Sequence, residues 1–512
     1  MCKLSVILLF NGFLLCGTLT VPRHATLVTE RQLQSSKYDF IIAGGDVAGL
    51  TVANLSALII EAGPVDRGEE FVYVPGSYEG DPYIWPGLTN KPSEVAGGGS
   101  IVNAMIFLRG IALDFDGWES LENDGWGWEG MLPYFFKSEN FTEPTPELAL
   151  EGNITWDNSV RGHDGPVQFS YPNYIYPGLA ALHIGVQPRL DPNAGQNTGV
   201  FNQPRTRVVG IEYLPSAGGD IFTAFAAKEV LVAAGALHTP QVLQLSGIGP
   251  RDLLEALEIP VISDLLGVGS NLQDQTTFPF ATEQRVLYDQ NLPSVWTLTR
   301  PLAPKFAFMS YEDATTNTAY TSILDDAEAR DPADSLPEGT HPTVLAGYAV
   351  QRKLMLNEFR DSGLAVGGIS WDADANVQVF NVKPFSRGYV YISQTDPLAN
   401  PVIDFGTASD PTVFQLHIAL LHKQRELFKA PSLAALGPTE VVPGPAVQTD
   451  EEIIQVMREI LQPSNGHQCC SAPMMPRELS GVLSPEMKVY GTTGLRVTDA
   501  ADIIKAEYGL AG

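Results

Sequence analysis

The most chemically suggestive feature near the N-terminus is a group of glycines after a largely apolar segment. Residues 38–43 have strand-like character, and Gly44, Gly45 and Gly49 follow them. A strand, a glycine turn and a helix in this order form the phosphate-binding unit of dinucleotide folds. Gly44 would make the tight turn, Gly49 would allow close helix–strand packing, and a pyrophosphate would lie at the helix N-terminus. The segment therefore predicts a nucleotide site, although such a motif alone also fits a generic turn.

The motif departs from the usual G-x-G-x-x-G pattern at its middle glycine. Asp46 occupies that position and adds bulk and negative charge where the backbone normally approaches phosphates. A second strand-like run, residues 57–60, ends in Glu61, and an acid at this strand tip holds ribose hydroxyls in such folds. Glu61 follows Gly49 by only twelve residues, whereas the usual spacing is about 20. The crossover helix must therefore be unusually short.

A second strand–turn–helix unit is predicted further along the chain. Residues 229–233 read as a fully buried strand, Gly235 opens a turn, and Thr239 and Pro240 are a good N-cap and first-turn pair for a helix. Beyond it, residues 280–400 contain alternating runs that predict an antiparallel sheet with one wet face. Two amphipathic helices, residues 414–429 and 450–461, are predicted after that sheet.

Composition limits the classes of partner. The 512-residue chain is 44% hydrophobic and carries 59 acidic against 31 basic residues, a formal net charge of -28. This length suggests a large core and two or more domains. The acidic balance argues against nucleic acid and anionic membranes as partners. No stretch after the N-terminal segment is long and apolar enough to cross a bilayer. The oligomeric state cannot be deduced from these patterns.

The N-terminus predicts export. Lys3 precedes an apolar run that ends near Cys16, and residues 1–20 as a whole resemble a signal peptide. We therefore expect a secreted protein, or one in a secretory or vesicular compartment. The alternative is an N-terminal strand buried in the fold. Glycosylation sequons at Asn140 and Asn153 could carry glycans, whereas Asn54 lies in the predicted cofactor helix.

Cysteine usage predicts neither a disulfide framework nor a metal site. Cys2 and Cys16 fall in the predicted signal peptide, which leaves the adjacent Cys469 and Cys470. A bridge between adjacent cysteines is strained, and two thiols without neighbouring ligand pairs make a poor zinc site.

Several blocks together resemble one family, the glucose–methanol–choline (GMC) flavin oxidoreductases. Residues 94–110 are similar to its first signature, residues 235–250 match its second signature closely, and residues 267–274 and 489–500 match further family segments. The resemblance extends from residue 38 to about residue 507. The segment around residues 465–470 most resembles the fungal secondary-metabolism branch that includes versicolorin B synthase and patulin synthase.

The resemblance implies an α/β FAD-binding domain of the Rossmann-like GMC type and an α+β substrate domain with an antiparallel sheet. The FAD-binding domain is then discontinuous, over residues 38–110, 200–284 and 450–512. Residues 111–199 form a lid or cover region and residues 285–449 the substrate-binding domain.

The implied cofactor is FAD, and family positions assign residues to it. The expected contacts are with the pyrophosphate, the adenosine ribose, the flavin side and the ribityl chain, and the assigned residues are Gly44, Val47, Ala48, Gly49, Glu61, Ala62, Asn103, Ala104, Met105, Ile106 and Ala500.

The family chemistry is oxidation of the CH–OH group of a small-molecule alcohol. A hydride passes to the flavin, an imidazole accepts the hydroxyl proton, and O2 or another acceptor reoxidises the flavin. His467 fits the family position of this base. His238 is expected to be structural, and His417 and His422 to be packing or surface residues on a helix.

The chain also departs from the family. A second catalytic His or Asn is expected in a loop after residue 500, but Ala500 runs directly into what resembles the last family helix. Further gaps fall between Ser56 and Ala57 and between Arg207 and Val208. Either ordinary variation or internal deletion explains them, and we favour deletion. Three functions therefore stay open: an FAD-dependent alcohol oxidase or dehydrogenase, a redox-silent cyclase that keeps FAD structurally, and a catalytically dead secreted flavoprotein-like protein.

Overall fold

The computed structural model describes residues 2–9, 38–45, 48–49, 57–63, 109–152, 154, 156–171, 205–214, 222–283, 305–315, 317–360, 364–371, 376–434 and 439–497. The strands in this part of the chain are β1 Cys2–Leu9, β2 Tyr38–Ala43, β3 Ala57–Ile60, β4 Glu139–Thr142, β5 Val167–Ser170, β6 Arg205–Leu214, β7 Phe222–Val232, β8 Ile248–Gly249, β9 Ser263–Asp264, β10 Ser270–Leu272, β11 Thr276–Glu283, β12 Lys305–Met309, β13 Gly367–Trp371, β14 Asn376–Asn381, β15 Gly388–Tyr391, β16 Val402–Asp404, β17 Thr439–Glu440, β18 Gly491–Thr493 and β19 Leu495–Val497.

The α-helices in the same ranges are α1 Ala112–Ser120, α2 Trp128–Ser138, α3 Pro146–Gly152, α4 Gly235–Leu245, α5 Arg251–Ala256, α6 Tyr311–Ala314, α7 Asn317–Ala329, α8 Pro342–Phe359, α9 Thr412–Leu427, α10 Pro431–Ala434 and α11 Asp450–Ile460. Three short 3-10 helices complete the set, at Asn158–Val160, Pro332–Ser335 and Arg477–Leu479. Among the described helices, none combines the length and apolar character needed to cross a bilayer.

The larger sheet carries the predicted cofactor domain. Its described strands follow the order β1-β6-β7-β2-β3, with β18 paired to β6 and β19 paired to β7. β2 runs parallel to both β3 and β7, and β19 also runs parallel to β7. Ile41 and Val230, at the centre of these strands, are fully buried, as in parallel sheets covered on both faces. Strands from three distant parts of the chain thus share one sheet, which a discontinuous cofactor domain requires.

The strand β6 changes partner part-way along its length. Arg205 to Arg207 pair in parallel with β18, whereas Gly210 to Tyr213 pair antiparallel with β7. The change falls at the junction between Arg207 and Val208, one of the positions where the sequence predicts a missing segment. A strand made by joining two shortened strands would show this behaviour, because each part keeps its own neighbour.

The N-terminal segment Cys2–Leu9 forms a strand at the edge of this sheet. It runs parallel to β6, with Cys2 opposite Val208 and Leu9 opposite Leu214. This arrangement corresponds to the alternative of an N-terminal strand in the fold. The prediction of a signal peptide concerns the precursor before processing, and it stays a prediction.

A second sheet forms the core of the predicted substrate domain. Its order is β12-β13-β14-β11-β17, and all its pairings are antiparallel. The helix α9 covers one face, where Leu416 and Leu420 pack with Phe278 and Val379, all of them fully buried. One strand within the predicted antiparallel region, β15, instead joins β10 and β16 in a separate small sheet. The expected antiparallel region is therefore two sheets, because β15 leaves β14 through a buried turn.

The helix α4 begins earlier than its sequence indicates. We predicted a start near Thr239, but the helix runs from Gly235, and Pro240 lies inside it. A proline within a helix leaves the carbonyl four residues before it without a donor. Here the hydroxyl of Ser471 donates to the carbonyl of Ala236 at 2.5 Å. This substitute hydrogen bond allows the helix to start one turn earlier.

Candidate cofactor and active site

The glycine turn after β2 has no space for side chains. Gly44 has φ of +103°, and a Cβ there would lie 2.2 Å from the carbonyl oxygen of Ala233. A Cβ at Gly49 would lie 2.1 Å from the carbonyl oxygen of Gly44. Real Cβ atoms do not approach oxygen so closely, so glycine is required at both positions. Gly49 therefore rests directly on the turn, as a phosphate-binding loop requires.

Glu61 reaches this turn despite the short crossover. Its carboxylate accepts hydrogen bonds from the backbone N–H of Gly45 and, at 2.7 Å, from that of Gly63. Ala62 beside it is buried, and Ala48 packs into the small core formed around Phe40. The structure therefore brings together four of the predicted cofactor positions: Gly44, Gly49, Glu61 and Ala62, with Ala48 adjoining them.

These residues fit the adenosine and pyrophosphate half of FAD. The glycine positions form a cradle that any side chain would fill, and the carboxylate of Glu61 lies beside it at the tip of β3. An acceptor at this place suits ribose hydroxyls, which are hydrogen-bond donors. Other assigned positions lie outside the described residues and stay predictions, namely Val47, Asn103, Ala104, Met105, Ile106 and Ala500, together with the unusual Asp46.

A buried ion pair holds the C-terminal strand in the same sheet. Arg496 of β19 donates from Nε to Oε2 of Glu229 on β7 at 2.6 Å, and Nη2 donates to Oε1 at 3.3 Å. Both side chains are almost completely buried. A two-pronged pair of this kind fixes geometry as well as charge. It fixes β19 against β7 at the C-terminal end of the described residues.

The loop that carries His467 is held by a segment almost 200 residues earlier. Thr277 and Gln462 exchange two backbone hydrogen bonds, and Gln273 and Cys469 exchange two more. The N–H of Gly269 donates to the carbonyl of Ser471 at 2.8 Å. The family-like segments at residues 267–274 and 465–470 are therefore parts of one site, which the sequence did not show.

Asp274 stabilises the turn that presents His467. Its Oδ1 accepts hydrogen bonds from the backbone N–H groups of Gln275, Asn465 and His467, at 2.7, 3.4 and 3.3 Å. Burial raises the pKa of the Asp274 carboxyl, against the opposing effect of these hydrogen bonds. The side chain of Ser464 also forms a hydrogen bond with this carboxyl and opposes the effect of burial on its pKa. Asp274 is thus a structural acceptor behind the histidine.

Gln275 is a site residue that sequence reasoning missed. Its Oε1 lies 2.8 Å from Nδ1 of His467. An amide oxygen can only accept, so Nδ1 carries the hydrogen and Nε2 of the neutral ring keeps its lone pair. The His467 side chain is exposed, and its Nε2 can therefore meet a ligand. The sequence contains one indication of this role, because Gln275 directly follows the family-like block that ends at Asp274.

Three further histidines have surroundings that fit packing or surface roles. Nδ1 of His238 lies 2.8 Å from Oε1 of Gln241, and burial lowers the pKa of this histidine. His417 is completely buried in α9, and His422 is exposed near Asp450. These placements agree with the packing and surface roles expected for them. Within the described ranges no group of three or more His, Cys, Asp or Glu side chains could hold a metal ion.

The predicted lid region is attached to the loops around His467 through its N-terminal part. The indole N–H of Trp126 donates to the carbonyl of Pro485 at 2.7 Å, and the side-chain amide of Asn123 donates to that of Met474 at 2.9 Å. Trp128 is buried among Phe115 and other rings. These tryptophans therefore serve mainly in packing.

Comparison with known proteins identifies the family. The model of the N-terminal domain of GMC oxidoreductases matches residues 38–199 and 195–277, and the model of the C-terminal domain matches residues 384–506. The dehydrogenase xptC of Emericella nidulans is 72% identical over 621 aligned positions, which cover all of both chains. Since this chain has only 512 residues, that relative contains segments absent here.

Solved structures agree with this relationship. An FAD-dependent oxidoreductase from Chaetomium thermophilum is 39% identical, with a TM-score of 0.86, and the match covers 93% of this chain and 100% of that chain. A fungal aryl-alcohol oxidase is 28% identical, with a TM-score of 0.78, over 92% of this chain and 99% of that chain. The fold of this chain is thus that of known flavin-dependent oxidoreductases. This chain belongs to the GMC oxidoreductase family, and FAD is its cofactor.

Proposed function

We propose that this protein oxidises the CH–OH group of a small-molecule alcohol, with His467 as the base. The observation that carries the proposal is the hydrogen bond between Nδ1 of His467 and Oε1 of Gln275. In the neutral ring this bond places the hydrogen on Nδ1 and the lone pair on the outward Nε2, which is the tautomer that a base acting through Nε2 needs.

The protein's own groups would divide the work as follows. Nε2 of His467 accepts the hydroxyl proton of the substrate, while FAD, when bound, supplies the acceptor for the hydride. Gln275 holds the ring orientation and would stabilise the imidazolium through its amide oxygen. Asp274 keeps the backbone of the loop in place. Glu61 and the glycine turn hold the adenosine half of the cofactor.

The names of relatives support the choice of substrate class. A dehydrogenase at 72% identity and an aryl-alcohol oxidase at 28% identity suggest an aromatic primary alcohol. Two further relatives, pkfF of Emericella nidulans and atC of Aspergillus terreus, also come from filamentous fungi. We propose a role in fungal secondary metabolism, with O2 or another small acceptor for the electrons, and export through the N-terminal signal.

The decisive experiment is anaerobic mixing of the flavin-loaded protein with a panel of benzylic and aliphatic primary alcohols. The wild-type flavin is expected to bleach with at least one alcohol. His467→Ala should keep the flavin bands but bleach roughly 10²- to 10⁴-fold more slowly, since this is the usual contribution of a general base. Equal rates in both proteins would remove His467 from the chemistry.

A second candidate is a redox-silent protein of the same family, either a cyclase that retains FAD or a dead flavoprotein. The observation that favours it is the set of segments present in the xptC dehydrogenase and absent here, together with the missing loop for a second catalytic residue. Bound flavin that no alcohol bleaches would support this candidate over an active oxidoreductase.

A further inference from the structure

The adjacent thiols of Cys469 and Cys470 lie in contact. Their sulfur atoms are 2.8 Å apart, and neither forms a disulfide. Cys470 has φ of +72°, a conformation that is uncommon for a residue with a side chain. The contact is therefore imposed by the surrounding fold, because an unconstrained Cys-Cys pair would relax to ordinary backbone angles with separated sulfurs.

Backbone hydrogen bonds hold the pair from both sides. Before it, Cys469 exchanges two hydrogen bonds with Gln273. After it, Ser471 accepts from the N–H of Gly269 and donates from its hydroxyl to the carbonyl of Ala236. The side-chain amide of Asn271 also lies 3.5 Å from the carbonyl of Cys470. The peptide between the two sulfurs thus has little freedom to turn them apart.

A buried cation lies close to the pair. Arg387 is 1% exposed, and it donates to the side-chain oxygen of Asn271 and to the carbonyls of Pro384, Phe385 and Ser386. None of its partners in the described part of the chain is a carboxylate. Its charge is therefore not neutralised by an ion pair there, and a nearby thiolate would be stabilised by it.

The two thiols are not equivalent. The hydrogen bond from Cys469 lowers the pKa of the Cys470 thiol, and Arg387 and Lys383 lower it further against the effect of burial. The same hydrogen bond raises the pKa of Cys469. Cys470 is therefore the nucleophile of the pair, and the more exposed Cys469 is its resolving partner.

We propose that Cys469 and Cys470 are a reversible oxidation site, which hydrogen peroxide converts to a disulfide between adjacent residues. The Cys470 thiolate attacks one peroxide oxygen, so that an S–O bond forms, the O–O bond breaks and the second oxygen leaves as water after protonation. The Cys469 thiol then attacks the sulfenic sulfur, and the S–O bond breaks with release of a second water. Two thiols and one hydrogen peroxide give one disulfide and two waters.

The bridge would be labile. Consecutive Cα atoms are about 3.8 Å apart, shorter than the separation in ordinary disulfides, and strained disulfides are the more easily reduced ones. A small thiol reductant should therefore reopen the bridge. This thiol chemistry is independent of the proposed alcohol oxidation, because it needs only the two sulfurs and an external peroxide.

The test uses the full-length protein, reduced and freed of reductant, then treated with hydrogen peroxide, alkylated in denaturant and digested with trypsin. The peptide of residues 459–477 contains both cysteines. It is expected to become two hydrogen atoms lighter and resistant to alkylation, and dithiothreitol should restore two alkylated thiols. Recovery of two alkylated thiols after peroxide, or irreversible oxygen addition without hydrogen loss, would overturn the proposal.

Two controls separate the effect of the fold from ordinary thiol chemistry. The same treatment in urea should give the bridge much more slowly, and an equal rate in urea would show that the folded geometry contributes nothing. In Cys469→Ser, a sulfenic acid at Cys470 should be trapped by dimedone. In Cys470→Ser, trapping at Cys469 should be about tenfold slower, because its thiolate is less populated; the reverse order would contradict the assignment of the nucleophile.

Discussion

His467 and Gln275 are 192 positions apart in sequence, yet their side chains meet at 2.8 Å. The contact exists because the strand segment from Gly269 to Thr277 and the His467 loop share five backbone hydrogen bonds. A side-chain bond built on such a frame has a fixed direction, which matters for a base that must meet one hydrogen of a bound alcohol. The pair therefore links the scaffold to the proposed chemistry.

Changing Gln275 to glutamate should shift the pH dependence of flavin reduction. A carboxylate beside Nδ1 stabilises the imidazolium relative to the neutral ring. A general base must be neutral, so activity would be lost at a higher pH than in the wild type as the solution is acidified. The measurement is the rate of anaerobic flavin bleaching by a reactive alcohol as a function of pH.

The matched control for this change is Gln275→Leu, which has similar size but cannot accept a hydrogen bond. It should lower the rate without moving the acidic limb to higher pH. If Gln275→Glu and Gln275→Leu gave the same pH profile, Gln275 would be only a packing residue.

Removing the Glu61 carboxylate should weaken FAD binding. In Glu61→Ala the backbone N–H groups of Gly45 and Gly63 lose their acceptor, and FAD would lose the ribose partner proposed for it. Hydrogen bonds to charged groups contribute ~1.5–3 kcal/mol, which corresponds to an FAD affinity about 10- to 100-fold lower. The affinity can be measured by titration of the apoprotein with FAD. Glu338→Ala, at an exposed loop position, should leave the affinity unchanged, and an equal loss in both variants would exclude a local role.

Buried His417 should make the fold sensitive to acid. Burial lowers its pKa from 6.5 to about 4, so the folded state favours the neutral ring. Its stabilising effect is complete above pH 6.5 and is lost as the pH falls toward 4, with a total of about 3 kcal/mol. Urea unfolding at pH 7 and pH 4.5 measures this loss. His417→Met should reduce the difference, whereas His422→Gln on the surface should not; equal pH dependence in all three proteins would refute the assignment.

Loss of the Ser471 hydroxyl should destabilise the protein through α4. Ser471→Ala leaves the carbonyl of Ala236 without a donor, because Pro240 cannot supply one. A fully buried unsatisfied carbonyl costs about 1–3 kcal/mol, and the half-buried Ala236 should lie toward the lower end. The free energy of unfolding in urea should fall by this amount, and Ser393→Ala at an exposed site is the control. An unchanged stability in Ser471→Ala would mean that another group satisfies the carbonyl.

The elements that the sequence specified well are those with strong local patterns. The buried strands β2 and β3 follow from apolar runs that end at glycine or acid, and α11 follows from its amphipathic pattern. The predicted start of α4 was wrong because the hydrogen bond that replaces the one lost at Pro240 comes from Ser471, which is far away in sequence. Periodicity also could not show that β15 pairs with β10 rather than β14, since partner choice is a long-range property.

The site was predictable only in part for the same reason. The local motif explains why glycine is needed at positions 44 and 49. The place of Glu61 at the end of a strand predicts its role. Gln275 has no local pattern that marks it, and its role depends on a loop that folds against it from the opposite end of the chain. The change of partner within β6 likewise required the structure, although the sequence had marked the junction at Arg207.

The central claim, that this is an active FAD-dependent alcohol oxidoreductase, is tested most directly by the absorption spectrum of the purified protein. It should be recorded under anaerobic conditions before and after addition of an aromatic primary alcohol. We predict flavin bands near about 380 and 450 nm, the latter bleached by the alcohol. A folded, colourless protein that takes up no added FAD, or a flavin band that no alcohol reduces, would contradict the claim.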